Sequence, residues 1–303
     1  MQMIILDGGM GRELARRGAP FKQPEWSALA LYQAPQTIEK VHRDFIRAGA
    51  QIITTNSYAV VPFHIGETRF FADGKMLADL AGRLARQAIS NEQDLSNEVK
   101  VAGSLPPLFG SYRFDLFKPE HVASIAQPII DGLAPYVDFW LFETQSASAE
   151  VEAVRALLPD SRPIWTSFTL QDEKILAEPC LRSGESVQHA VEKMAQLGVN
   201  AILFNCCQPE VIENALRVAK QTLTKCEKHD ILLGAYANAF PPQPKNATAN
   251  DGLDEIRQDL NPAQYFTWAK KWQQAGATII GGCCGIGPEH IALLSENFRK
   301  MEK

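Results

Sequence analysis

No stretch of the chain approaches the roughly 18 consecutive apolar residues that a membrane-spanning helix needs, so no membrane-embedded role is expected. Excess positive charge is also missing. Lys and Arg number 30 against 35 Asp and Glu, a net charge of −5, which gives no reason to expect nucleic acid or an anionic membrane as partner. The start, Met1-Gln-Met-Ile-Ile-Leu-Asp7, has neither a basic segment nor a long apolar one and does not read as a signal peptide. A cytoplasmic location is therefore expected, where six cysteines serve as metal ligands, catalytic groups or core residues rather than as disulfides. There the glycosylation-like triplet Asn246-Ala-Thr248 carries no meaning. Internal repeats, low-complexity tracts and domain linkers are absent, as are the Cys-x-x-Cys pairs of structural zinc modules. After the first apolar run, Gly8-Gly-Met-Gly11 has the wrong spacing for a Gly-x-Gly-x-x-Gly turn, which argues against a dinucleotide-binding open sheet.

What is present is an ordinary globular composition, 46% hydrophobic and 21% charged over 303 residues, enough to bury a large core. Eight short β-rich runs stand out: Met3 to Asp7, Ile52 to Asn56, Val99 to Ser104, Val137 to Glu143, Ile164 to Thr169, Ala201 to Cys206, Ile231 to Ala237 and Thr278 to Cys283. Helical patterns separate them, such as Pro35 to Ala48 with Ile38, Val41, Phe45 and Ile46 at helical spacing, and Glu289 to Lys303 closes the chain. Eight alternations predict a parallel sheet closed into a (β/α)8 TIM barrel, an α/β fold of one domain over residues 1–303. Links from helix into strand are short and carry glycine, as in Gln196-Leu-Gly-Val-Asn200 and Gln274-Ala-Gly-Ala277. Links from strand into helix are long: Gly8 to Ala34, Ser57 to Gly74, Leu105 to Pro119, Leu170 to Ser186 and Ala239 to Asn261. Long loops thus gather at the C-terminal end of the barrel, where enzymes of this architecture place their sites. The stretch 240–262, with Pro241, Pro242 and Pro244, is a candidate lid or a solvated excursion.

The strand exits carry acids, amides and thiols: Asp7, Asn56, Glu143, Asn205-Cys206-Cys207, Asn238 and Cys283-Cys284. One Cys-Cys pair reads as buried core; two pairs, each where an apolar run gives way to a Gly- or Pro-containing loop, point to a thiolate metal site. Three thiolates from two strands would hold Zn²⁺ and leave one tetrahedral position open, and a substrate thiol taking that position would lose its proton. Glu143 or Asp7 could pair with a substrate ammonium, and the backbone N–H groups of Gly8 and Gly9 could receive a carboxylate. Phe63, Phe109, Tyr112 and Phe114 are candidate walls for a cationic donor.

Together, Leu6-Asp-Gly-Gly-Met-Gly-Arg-Glu-Leu14, Gly49-Ala-Gln-Ile-Ile-Thr-Thr-Asn56, Arg182-Ser-Gly-Glu185, Asn205-Cys206 and Gly281-Gly-Cys-Cys284 resemble the homocysteine S-methyltransferase family over nearly the whole chain. The resemblance implies a zinc barrel whose metal is held by Cys206, Cys283 and Cys284, with Cys207 an extra thiol. It further implies that Asp7, Gly8 and Glu143 contact the amino-acid end of homocysteine and that Asn238 lies near the metal. The chain has no room for folate or cobalamin domains and lacks the long C-terminal extension of the betaine enzymes, so S-methylmethionine or S-adenosylmethionine is the expected donor. Gly285-Ile-Gly287 stands where the S-methylmethionine enzymes tend to have Arg-Thr. Gly285 resembles the methionine-synthase version, which leaves a free-standing homocysteine module serving a separate corrinoid protein as the alternative. A non-catalytic zinc barrel or a thiol-redox sensor is the reading from a different class.

Overall fold

The computed structural model of the chain describes residues 2–92, 99–244, 247–250, 252 and 255–301. Positions 245, 246, 251, 253 and 254 of the candidate lid, Asn246 of the triplet among them, and the last two residues of the expected closing helix lie outside them. Eight strands form one parallel sheet: β1 (Ile4–Ile5), β2 (Ile52–Thr54), β3 (Lys100–Leu105), β4 (Phe139–Gln145), β5 (Ile164–Phe168), β6 (Ala201–Asn205), β7 (Leu232–Tyr236) and β8 (Ile279–Ile280). Their order is β1-β8-β7-β6-β5-β4-β3-β2. A parallel bridge from Leu6 to Ile52 joins the two ends, with Asp7 N–H donating to the Ile52 carbonyl at 3.0 Å and Gln51 N–H to that of Ile5 at 2.8 Å. The ring is therefore a barrel and not an open sheet. All eight expected runs are strands, with ends displaced by up to three residues.

The strands read as continuous apolar runs because both faces are covered. Along β6, Ala201 and Leu203 join Leu6, Ile52, Leu141, Trp165 and Ile279 in the barrel interior, whereas Ile202 and Phe204 pack outward against the helices. Phe139 and Trp165 meet inside the barrel with ring centroids 4.4 Å apart, filling the space that Ala102 and Ala201 leave. Outside, helix Pro35–Arg47 buries Ile38, Val41, Phe45 and Ile46, the stripe its spacing predicts.

Two of the stretches expected as loops are partly helical. Helices Met10–Arg16 and Ala28–Gln33 follow β1, and helix Glu67–Ser90 begins well before Gly74, which sits inside it and is buried. Glycine lowers helix propensity by about 1 kcal/mol, and the buried face of a 24-residue helix outweighs that. The other long connections do converge at the C-terminal ends of the strands.

Helix ends follow their local chemistry. Asn261 Oδ1 accepts the N–H groups of Ala263 and Gln264 at 3.1 Å, with Pro262 as the first helical residue. Helix Val187–Leu197 starts on Ser186, whose Oγ accepts the His189 N–H, and stops at Gly198, which takes φ of 72°. No neighbouring atom lies within 4 Å of where a Cβ would be, so only the backbone dictates glycine there. Gly198→Ala should therefore destabilise the protein by about 1 kcal/mol and Gly198→Asn by less, as read from urea midpoints. Equal stability of all three would contradict the left-handed cap.

Candidate active site

Cys206 follows the last residue of β6 and has φ of 50°, a left-handed conformation that costs a non-glycine residue about 1 kcal/mol. Strand alternation places Asn205 inside the barrel, and the turn at Cys206 breaks the pleat so that this side chain too reaches the cavity. Cys207 goes outward into the buried core between strands and helices, so it stands apart from the thiol cluster. From β8, Cys283 N–H donates to the Ala237 carbonyl at 2.9 Å, while Cys206 N–H donates to that of Tyr236 at 3.3 Å. The end of β7 thus sets the register between the two cysteine-bearing loops. The sulfurs of Cys206, Cys283 and Cys284 come within 4.8 Å of one another.

Three thiols this close cannot ionise independently. Cys206 is held well below the ordinary thiol range, first by hydrogen bonds from Cys283 and Cys284 and also by donation from Tyr112 and Asn238. Cys283 and Cys284 are pushed up, chiefly because each is the donor to that first thiolate. Ionising all three calls for a cation among them. Zinc–sulfur bonds of about 2.3 Å at tetrahedral angles place ligand sulfurs about 3.8 Å apart, so the cluster and its soft donors fit that ion with little movement.

Two acids stand on the same rim. The buried Asp7 carboxylate accepts the Thr54 N–H at 2.7 Å and the Thr54 hydroxyl at 3.1 Å. Burial raises its pKa to about 8, with the Thr54 N–H opposing and the Glu143 charge adding to the rise. Glu143 sits where β4 takes one extra residue against β5, a bulge that re-aims side chains. Its Oε2 accepts the Ser104 hydroxyl at 2.5 Å, and burial, with the Cys206 charge, lifts its pKa to about 7. Gly8 lines the same cavity as these acids and the thiols. The Gly9 N–H, however, donates to the Ile286 carbonyl at 2.9 Å and is not available to a carboxylate as expected. Asn238 is buried with Nδ2 3.9 Å from Cys206 Sγ.

These groups surround a cavity of about 490 Å³ at the C-terminal mouth of the barrel. Of the four aromatic residues expected as walls, only Tyr112 lines it. Phe63 packs on Gly110 and His64, Phe109 meets Phe117 edge to face, and Phe114 is exposed. The aromatic lining comes instead from Phe21, Trp26, Tyr58, Tyr236 and Phe240. Overhead, the described part of the 240–262 loop contributes Phe240, Gln243, Pro244 and residues 247–249. It is fastened on one side by Gln23 to the Ala249 and Gly252 carbonyls and by Trp26 Nε1 to Asn250 at 2.8 Å. On the other, Arg182 donates to the Gln243 and Pro244 carbonyls. The described part of the loop is a roof over the site.

Comparison with known proteins agrees with this geometry. The family model described as homocysteine S-methyltransferase matches residues 4–298. The chain belongs to the homocysteine S-methyltransferase family. Among its relatives, the homocysteine S-methyltransferase of Escherichia coli is 30% identical over 96% of this chain and 94% of its own length. Homocysteine S-methyltransferase 1 of Brassica oleracea is 26% identical over 98% and 93%. The metallated form of the homocysteine methyltransferase MmuM from Escherichia coli superposes with a TM-score of 0.77 at 29% identity, covering 98% of this chain and 96% of that one.

Two residues that the sequence marked only as a strand-exit amide and a candidate wall have partners that it does not show. Asn205 Oδ1 accepts the Ser167 hydroxyl at 2.6 Å and the Thr144 N–H at 3.1 Å, while its Nδ2 donates to Thr144 Oγ1 at 2.8 Å and faces Cys283 Sγ at 4.0 Å. Tyr112 places its hydroxyl 3.2 Å from Cys206 Sγ. Cys206→Ala should lower bound zinc to well below one per chain, whereas Cys207→Ala should keep full metal content and lose about 1 kcal/mol of stability from the buried sulfur. Metal analysis after loading checks both, and undiminished zinc in Cys206→Ala would show the ligand set to be wrong.

Proposed function

We propose that the protein transfers a methyl group from a sulfonium donor, S-methylmethionine or S-adenosylmethionine, to the thiol of homocysteine to give methionine, with zinc held by Cys206, Cys283 and Cys284. One observation carries this reading: three sulfurs from two strand exits lie within 4.8 Å of one another, on a cavity that Asp7 and Glu143 also line. When bound, zinc would lower the pKa of an incoming thiol and hold it as the nucleophile. The family name and the metallated form of the Escherichia coli relative support the assignment. Free thiol ligands also favour a reducing compartment, so a cytoplasmic location is part of the proposal.

The chain's own residues supply recognition and shielding. Asp7 and Glu143 are positioned to take the substrate ammonium, whose charge would favour the ionised form of two carboxyl groups that burial now disfavours. The substrate carboxylate would be received beside Gly8, which lines the cavity, since the Gly9 N–H is already engaged. The substrate sulfur forms a bond to the methyl carbon as the carbon–sulfonium bond breaks, and the bonding pair leaves with the departing sulfur as a neutral thioether. Charge is neutralised in that step, so a cavity that excludes water, walled by Trp26, Tyr58 and Phe240 and covered by Gln243, Pro244 and residues 247–249, favours it.

The corrinoid alternative rested on Gly285, which has a local explanation. It takes φ of 84°, and a Cβ there would lie 2.6 Å from Ile256 Cδ1 of the roof segment. Glycine at this position serves the backbone and does not argue for a corrinoid partner.

The test is zinc-loaded protein with homocysteine and, separately, S-methylmethionine, S-adenosylmethionine, betaine and methylcobalamin. Methionine is expected with one or both sulfonium donors. Turnover only with methylcobalamin would favour the corrinoid reading, and turnover with none the non-catalytic one.

Asp7 gives a second test, with a defined sign. Its carboxyl has a higher pKa folded than unfolded, so its contribution to stability is full below pH about 4 and is lost as pH rises through about 8. Asp7→Asn should therefore gain stability over the parent in metal-free protein as pH goes from 5 to 8.5, while its KM for homocysteine rises about tenfold or more. A stability gap that does not widen, or an unchanged KM, would remove Asp7 from the substrate site.

A further inference from the structure

Among the described residues, five non-glycine residues have positive φ, and four of them, Trp26, Tyr112, Thr144 and Cys206, line the cavity. Cys206 turns to bring its sulfur to the cluster, Thr144 belongs to the β4 bulge and Trp26 fastens the roof. Tyr112, at φ of 68°, has no part in the reaction as described so far. Strain of this kind persists only where the surroundings enforce it.

The surroundings here are unusually committed. The Arg182 guanidinium lies 4.6 Å from the centroid of the Tyr112 ring. Arg182 is completely buried and pairs at 3.1 Å with Asp172, equally buried. Asp172 in turn accepts the N–H groups of Gln208 at 3.1 Å and Gln243 at 3.2 Å, and Arg182 donates to the Gln243 and Pro244 carbonyls. A guanidinium held from three sides cannot swing away from the ring, so the ring keeps one orientation. That orientation delivers the hydroxyl to 3.2 Å from Cys206 Sγ and 3.3 Å from the Cys206 carbonyl oxygen. One phenolic proton serves one acceptor at a time, and an ionised sulfur is the stronger of the two.

Building on the metal reading above, we propose that Tyr112 is a positioning residue of the metal centre: its hydroxyl donates to the Cys206 thiolate, and the buried Arg182–Asp172 pair holds it there. Donation withdraws electron density from that ligand, which leaves a bound metal more strongly acidifying toward a thiol in the open position. Tyr112 would then set the pH range over which homocysteine is captured as thiolate, without touching substrate itself.

Cobalt(II) replaces zinc in the full-length protein, and the thiolate-to-cobalt absorption is followed in the parent, Tyr112→Phe and Tyr112→Ala, with and without homocysteine. Equal cobalt content is expected in the parent and Tyr112→Phe. In both variants the charge-transfer band should move to longer wavelength, and the pH midpoint at which homocysteine perturbs it should rise by about half a unit or more. A packing role predicts that Phe restores the parental band and midpoint while Ala does not, and that result would overturn the proposal. Arg182→Met, which frees the ring while keeping the hydroxyl, should shift the band in the same direction by less; an unshifted band would overturn the clamp. If the parent itself gives no thiolate-to-cobalt band, the metal reading fails and takes the proposal with it, an outcome distinct from an unshifted band in Tyr112→Phe.

Discussion

Like charges repel, and three ionised sulfurs within 4.8 Å of one another are stable only around a cation. That constraint organises the C-terminal mouth of this barrel. Without an ion, Cys206 alone is favoured as thiolate and its two neighbours remain protonated donors to it. The three sulfurs form a soft donor set that fits a divalent metal, and under the proposed function a further sulfur would complete its tetrahedral shell. The strand order makes the cluster possible, because β6 and β8 flank β7 and their exits are held in register by the Tyr236 and Ala237 carbonyls at its end.

Much around the cluster is costly in isolation. Asp7, buried, and Glu143, partly buried, are acids held toward neutrality, Cys206 and Thr144 hold left-handed backbone, and Arg182–Asp172 is an ion pair wholly removed from water. A buried pair seldom stabilises more than an apolar replacement would, so its value is positional. Here it joins the Leu170 to Ser186 connection to the roof and the ring of Tyr112 to the sulfur cluster. Gln208 extends the network, donating to the Phe240 carbonyl and accepting from Arg257, which also pairs with Glu210 at 2.7 Å. Roof and thiol cluster are thus tied to the same framework, which holds the cavity walls in place.

The barrel was legible in the sequence because parallel strands buried on both faces appear as unbroken apolar runs, and glycine marks the left-handed ends of helices such as Val187–Leu197. Strand ends were less so, since Thr278 to Cys283 is uniformly apolar or small while only Ile279–Ile280 is paired as strand. Cys206, Cys283 and Cys284 announced themselves as thiols at strand exits. That Cys207 faces the core follows from a single positive φ at Cys206, which sequence does not display. The same limit hid Thr144 and, for Tyr112, which was expected as a wall, the contact with Cys206, since both depend on backbone strain and on neighbours far away in the chain. The expected aromatic walls were mostly misplaced for a related reason: a loop has no fixed periodicity, so nothing in Phe63, Phe109 or Phe114 says which way the ring points.

X-ray absorption at the zinc edge of the loaded protein, recorded before and after homocysteine is added, tests the central claim most directly. The account predicts three sulfurs at about 2.3 Å in the resting protein and four once homocysteine is bound. Two sulfurs at rest, or a coordination shell that homocysteine leaves unchanged, would contradict it.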